Sequence, residues 1–317
     1  MCLPSARSTS VQLPPASIAA SIPPPRGHKK YIYDASHISR SGGSGTDVEG
    51  ETLYWEKHGL ELETYDDIVG RLEELETSHK DQMNVYTFGT SSGGKDLYGV
   101  DIYAGTGTPK ETVFITAGHH GTEGGGVEAA MEFIENYLES DTPFAQQLKE
   151  RVRFTIVPCV NVDQYALAPA QRAYNNLNDR DLNSQYNRRR GIEPESKAVK
   201  ELYLSIEEPI NLAFDLHETE GEWVKGFSIF ENKPYRRRIL NHAAHAAGKV
   251  SKQYPLHSNG VIHDINPSCF DGFACGEGAY SYTFEAPLSK KFAIEDRVEM
   301  QLIALDDIIT LYYKDRV

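Results

Sequence analysis

The chain has 317 residues, 39% of them hydrophobic and 10% aromatic, with a formal net charge of −14. That is enough apolar material for one large domain or two small ones. The acidic balance excludes the basic face that a nucleic-acid partner requires, and no run of 18 apolar residues is present to span a membrane. Four cysteines without a C-x-x-C pair exclude a disulfide framework; a local Cys269–Cys275 bridge is the minor alternative to free thiols. The amino terminus lacks a continuous apolar stretch of signal-peptide length, so a cytoplasmic location is the expectation.

Residues 1 to 50 are rich in Pro, Ser and Gly and are expected to be disordered or weakly ordered; residues 51–317 are expected to form the folded domain. "TYDDIVGRLEEL" places Ile68, Leu72 and Leu75 at helical spacing behind Thr64 as N-cap. "NVYTFG" and "DLYGVDIYAG" read as strands joined by the turn "TSSGGK". "TVFIT" is a buried strand, and "GVEAAMEFIENYLES" is a helix with Val127, Met131, Ile134 and Leu138 on one face. "VRFTIVPCVN" and "NLAFDLHE" are further buried strands. "PYRRRILNHAAHAAGK" is expected to be helical from Pro234, "YSYTFEAP" is a strand, and Val298, Leu302, Leu305, Ile309 and Tyr312 mark a closing helix. Apolar strands alternating with amphipathic helices give an α/β domain with a mixed, mainly parallel twisted sheet covered by helices on both faces.

In such a fold, ligands sit beyond the carboxyl ends of the strands. His120-Gly-Thr-Glu123 follows the "TVFIT" strand, and His217 closes "LAFDLH". Two histidines and one glutamate form a three-ligand set with a fourth position open, the pattern of a catalytic zinc site with one ion. His119 reads as a neighbour of the ligand His120 rather than a second ligand. Glu285, at the end of "YSYTFEAP", is either a general base or a carboxylate that simply emerges into solvent. "HETEGE", with Glu218, Glu220 and Glu222, reads as a solvated acidic loop.

From about Tyr65 onward the chain resembles the zinc carboxypeptidases of the carboxypeptidase A type, a group that includes the desuccinylase and aspartoacylase deacylases. "FITAGHHGTEGG" is similar to the family's H-x-x-E motif. "IVPCVNVDQY", "NDRDLNSQYN", "EPESKAV", "DLH" and "VIHDINPSCFDGFACGEGAYSYTFEAP" resemble its later segments in their order. The resemblance implies that His120, Glu123 and His217 hold zinc and that Glu285 deprotonates the attacking water. It further implies that Asp181 orients His120, that Asn183 binds the substrate carboxylate, and that Phe270 lies at the floor of the specificity pocket. The position of the family's substrate-capping tyrosine falls on His263. For the arginine that polarises the scissile carbonyl, Arg172 is the first choice and Arg180 the second.

The departures bear on the substrate. Ser184 stands where the family has a carboxylate-clamping arginine, and serine cannot supply a bidentate charged grip. Arg188, Arg189 and Arg190 either substitute for it or form a solvated loop. A metallocarboxypeptidase acting on peptides with an apolar or aromatic terminal residue is the leading expectation. A deacylase of N-acyl amino acids or modified peptides is the alternative, and a non-catalytic zinc- or peptide-binding module the third. Fewer than about 60 residues precede the catalytic part, so no globular inhibitory pro-domain is expected there.

Overall fold

The computed structural model describes residues 62–219, 226–235, 237, 240–254, 260–263, 266–288 and 291–316. The amino-terminal segment expected to be disordered lies outside them, as do Glu220 and Glu222. Helix α1 (Tyr65–Ser78) starts as the sequence dictates: Thr64 and Asp67 form a reciprocal capping box, which satisfies two backbone donors that a helix start leaves open. It is followed by the hairpin β1 (Met83–Thr90) and β2 (Asp96–Ile102).

Strand β3 (Glu111–Ala117) is buried at every position after the first, a pattern that only a strand covered on both faces sustains. Helix α2 (Gly124–Glu139) returns across the sheet. Helix α3 (Pro143–Arg151), capped by Thr142, leads into β4 (Val152–Val157). A one-turn helix α4 (Val162–Tyr165) and two 3-10 turns, the second at Leu182–Ser184, precede α5 (Pro194–Ser205). The remainder is β5 (Ile210–Thr219), β6 (Ser228–Asn232), α6 (His242–Gln253), β7 (Gly260–Ile262), α7 (Phe270–Gly276), β8 (Tyr280–Pro287) and α8 (Ile294–Tyr313).

These strands form one eight-stranded sheet in the order β1-β2-β4-β3-β5-β8-β6-β7. The central four, β4-β3-β5-β8, are mutually parallel. The pairs β1/β2, β2/β4 and β8/β6 are antiparallel, and β6/β7 is parallel. The period of two along each strand divides the core. Val113, Ile115, Leu212 and Phe214 join α2 and α8 residues such as Met131, Ile134, Leu305 and Ile308 on one face. Phe114 and Ala213 join Val199, Tyr203, Phe270 and Phe273 from α5 and α7 on the other. The mixed, mainly parallel sheet with helices on both faces is therefore the architecture found.

One local expectation needs correction. The helix read from Pro234 begins at His242; the apolar stripe that buries it starts only at Ala243, and Tyr235 before it is 87% exposed. The edge strands β6 and β7 and the short α7 carry too few residues for periodicity to reveal them. Cys269 and Cys275 are unbridged.

Gly118 carries the sharpest backbone requirement. Its φ is +69°, a region that favours glycine, and a Cβ there would lie 2.7 Å from Val127 Cγ2. Gly118→Ala is therefore expected to destabilise the chain by about 2 kcal/mol or more, read as a lower midpoint in urea denaturation.

Candidate metal centre

The site assembles where the central strands end. After β3, Gly118 turns the chain so that His119 and His120 follow the strand directly. Glu123 is the residue before α2, and its side chain makes no capping bond to that helix. Its carboxylate is therefore available to the histidines. Gly126 lets the first turn of α2 approach β5 closely, since a Cβ there would run into the Leu216 carbonyl oxygen. His217 is the next residue on β5, and in the β5/β8 register it lies beside Glu285. Side chains more than 90 residues apart thus meet because their strands are neighbours in the sheet.

Glu123 Oε1 is 2.8 Å from His120 Nδ1, and Glu123 Oε2 is 2.7 Å from His217 Nδ1. The backbone N–H of Glu218 also donates to Glu123 Oε2, at 3.1 Å. The outer ring nitrogens face carboxylates as well: His120 Nε2 is 3.2 Å from Asp181 Oδ1, and His217 Nε2 is 2.9 Å from Asp215 Oδ2. All three inner residues are buried, and their ligand-type atoms lie within 4.8 Å of one another.

This donor set fits a zinc ion. When the outer nitrogens carry the ring protons and turn them to Asp181 and Asp215, both inner lone pairs and the Glu123 oxygens face one another. Without a metal those contacts are hydrogen bonds carried by the histidine protons; with those protons displaced, two imidazoles plus a carboxylate with carboxylates behind them suit zinc. The same electrostatics shows in the protonation behaviour. Burial alone would lift the Glu123 carboxyl, yet His217 and His120 hold it down at about 2. Burial would lower His120, and Glu123 and Asp181 raise it instead.

Glu285 stands at the edge of this group. Burial, opposed by His217, pushes its carboxyl up to about 8. Its Oε2 is buried without a hydrogen-bond partner, an arrangement that costs free energy unless the atom has another use.

The other expected residues are distributed differently. Asn183 borders the site, but its carboxamide is engaged at both ends: Oδ1 accepts the Phe270 N–H at 2.9 Å, and Nδ2 is 3.1 Å from His217 Nε2. Phe270 has no exposure and is ringed by Phe114, His119, Tyr186 and Tyr203. It is a core residue beneath the site and not an open pocket floor, because the first turn of α7 turns it inward. The Arg172 guanidinium lies 4.2 Å over the Tyr165 ring and donates to the Leu167 and Glu63 carbonyls, with Nη1 left unpaired. Arg180 is exposed, as are Arg188, Arg189 and Arg190.

His263 is 3.6 Å from Glu231 at the β6/β7 edge, lining a cavity of about 510 Å³ with Lys233, Tyr235 and Cys275. None of the three metal-centre residues lines that cavity. The Ser184 hydroxyl donates to the Asp181 carbonyl. Glu218 corrects the solvated-loop reading: β5 continues to Thr219, so Glu218 is buried, 2.6 Å from Arg297, and accepts the Gly125 N–H.

Sequence reasoning missed Tyr174, Asp215 and Tyr186. The Tyr174 ring stacks on His120 with centroids 3.7 Å apart; an aromatic residue in the polar stretch after Arg172 was its only signal. Asp215 was legible as a carboxylate in the middle of an apolar strand.

Residues 68–302 match the model of the family described as zinc carboxypeptidase. The chain belongs to the zinc carboxypeptidase family. The family's members are zinc-dependent hydrolases, and this chain is a metallocarboxypeptidase-like enzyme by that membership. Solved carboxypeptidases share its fold. A metallo-carboxypeptidase from Burkholderia cenocepacia is similar at 16% identity and a TM-score of 0.65, over 79% of this chain and 69% of that one. Thrombin activatable fibrinolysis inhibitor is similar at 19% identity and a TM-score of 0.64, over 80% and 75%. Carboxypeptidase A from Helicoverpa armigera is similar at 16% identity and a TM-score of 0.63, over 79% and 73%. No curated protein sequence matches this carboxypeptidase-family chain. Among its described residues no helix is long and apolar enough to cross a membrane.

Proposed function

We propose that this chain is a metallocarboxypeptidase that removes the C-terminal residue of a peptide, with one zinc ion held by His120, Glu123 and His217 and with Glu285 as general base. The observation that carries the reading is the buried, unpartnered Glu285 Oε2 beside the three-ligand cluster. Zinc in such a site polarises the scissile carbonyl and makes water a better nucleophile near neutral pH. Asp181 Oδ1 is placed to accept the outer N–H of His120, and the unpartnered Asp215 Oδ2 lies 2.9 Å from the outer nitrogen of His217, so that an N–H turned to each carboxylate leaves both Nδ1 lone pairs inward. Glu285 takes a proton from the attacking water at Oε2 and returns it to the leaving nitrogen. Arg172, with Nη1 unpaired, remains the first candidate for polarising the carbonyl oxygen, and Arg180 the second. A single ion is favoured because the second possible ligand group, His119, Asp215 and His217, shares His217 with the first.

One observation favours a second reading, a deacylase or amidase acting on N-acyl amino acids or modified peptides. The Asn183 carbonyl oxygen is spent on the Phe270 N–H, and the Ser184 hydroxyl on a backbone carbonyl. Neither supplies a charged grip on a terminal carboxylate. The test is turnover of a free-acid dipeptide ending in Phe, its amide, and a set of N-acyl amino acids, each with and without a zinc chelator. Chelator-sensitive hydrolysis confined to the free acid is the expected result. Comparable turnover of the amide, or turnover of acyl substrates alone, establishes the deacylase instead.

A further inference from the structure

His119 has no exposure to solvent, yet both its ring nitrogens are hydrogen-bonded: Nε2 lies 2.7 Å from the Tyr186 hydroxyl and Nδ1 lies 2.9 Å from Asp215 Oδ1. Asp215 is a fully buried carboxylate in the middle of β5. Its Oδ1 accepts the Thr116 hydroxyl at 2.9 Å as well as His119, and its Oδ2 stands 2.9 Å from His217 Nε2. The His119 ring also stacks on that of His217, with centroids 5.6 Å apart and planes at 11°.

Two groups compete for His217 Nε2. Asp215 Oδ2, 2.9 Å away and buried without a hydrogen bond as placed, is free to accept a proton from it, whereas the Asn183 amide nitrogen, 3.1 Å away, can donate one to it. The outcomes are opposite at the other side of the ring. With Nε2 protonated and turned to Asp215, Nδ1 keeps its lone pair toward Glu123 and can ligate. With Nε2 accepting from Asn183, the ring proton moves to Nδ1, where Glu123 Oε2 at 2.7 Å accepts it, and the ligand position is blocked. The bond to a carboxylate is the stronger of the two, provided that the carboxylate is held in place.

We propose that His119 is a positioning residue: with its Nε2 accepting from Tyr186 and its Nδ1–H donating to Asp215, it fixes the carboxylate that keeps His217 in the zinc-ligating tautomer. The proposal rests on the reading of His217 as a ligand and adds what holds it ready. It also separates His119 from an ordinary satisfied core histidine, which would leave metal affinity unchanged.

The experiment measures the zinc dissociation constant of the full chain by competition with a chromogenic chelator, alongside the melting temperature of the zinc-free protein. His119→Phe keeps the ring volume and removes the donor, and its zinc affinity is expected to fall about tenfold or more. His119→Asn sets an amide N–H near the Nδ1 position and is expected to recover most of that loss. Tyr186→Phe, a smaller change, is expected to weaken zinc severalfold and serves if His119→Phe does not fold. His217→Ala is the reference for the ligand reading.

Loss of zinc in His217→Ala, with wild-type affinity in the His119 and Tyr186 variants, overturns the positioning role and leaves the ligand set standing. Equal weakening in His119→Phe and His119→Asn, with zinc-free stability unchanged, also overturns it. Retained affinity in His217→Ala overturns the ligand reading and the positioning role with it.

Discussion

Glu285→Gln is expected to lower kcat by about a thousandfold while the chain still binds zinc. The amide preserves the volume at the end of β8 but cannot take the proton from water, and positioned proton transfer is worth about 10²–10⁴ in rate. The cluster of His120, Glu123 and His217 does not include Glu285, so zinc affinity should stay within a few-fold of wild type. The wild type supplies the companion measurement. Burial pushes the metal-free Glu285 carboxyl up to about 8, and a nearby divalent cation draws it down. A base works as the carboxylate, so kcat/KM should climb with rising pH along an acid limb whose midpoint lies below 8. Near-wild-type kcat in Glu285→Gln would remove Glu285 from the chemistry.

Glu123→Gln should abolish both zinc uptake and hydrolysis. Its two carboxylate oxygens serve His120, His217 and the Glu218 N–H at once. An amide nitrogen would face an imidazole lone pair or the backbone donor on one side, and the negative charge that attracts the cation would be gone. A loss of more than about a hundredfold in zinc affinity is expected, larger than that from removing an outer-shell partner. In the zinc-free protein the same carboxylate pairs with His120 and His217 and accepts from the β5 backbone, so the zinc-free variant should also unfold at a lower denaturant midpoint than the zinc-free wild type. Stoichiometric zinc in purified Glu123→Gln would show that another group of residues holds the ion.

The central strands and both long helices were legible because their patterns are long: β3 and β5 are nearly continuous apolar runs, and α2 and α8 carry unbroken stripes. The candidate metal-centre residues stood out in the sequence for a related reason. A histidine or glutamate at or near the end of a buried strand has no packing role to explain it; His120 and Glu123 follow β3, and His217 and Glu285 lie two residues before the ends of β5 and β8. What remained hidden depends on partners distant in sequence. Nothing around Phe270 indicates that Tyr203 and Phe114 enclose it, and nothing around Glu218 points to Arg297. His119 is the clearest case, since a sequence cannot distinguish a bystander beside a ligand from a residue bonded to Asp215 and Tyr186.

Two of the three proposed ligands and the proposed base sit at the ends of strands that are hydrogen-bonded to one another along their lengths. The stretch carrying Arg172, Tyr174 and Arg180 runs separately, between α4 and α5. The proposed ligands and base thus come from the sheet and the turn that follows β3, and the candidate arginines from a connecting segment. The two parts touch at Tyr174, whose ring stacks on His120 and whose carbonyl accepts the Gly121 N–H, so a change in that stretch reaches the proposed ligands through that residue.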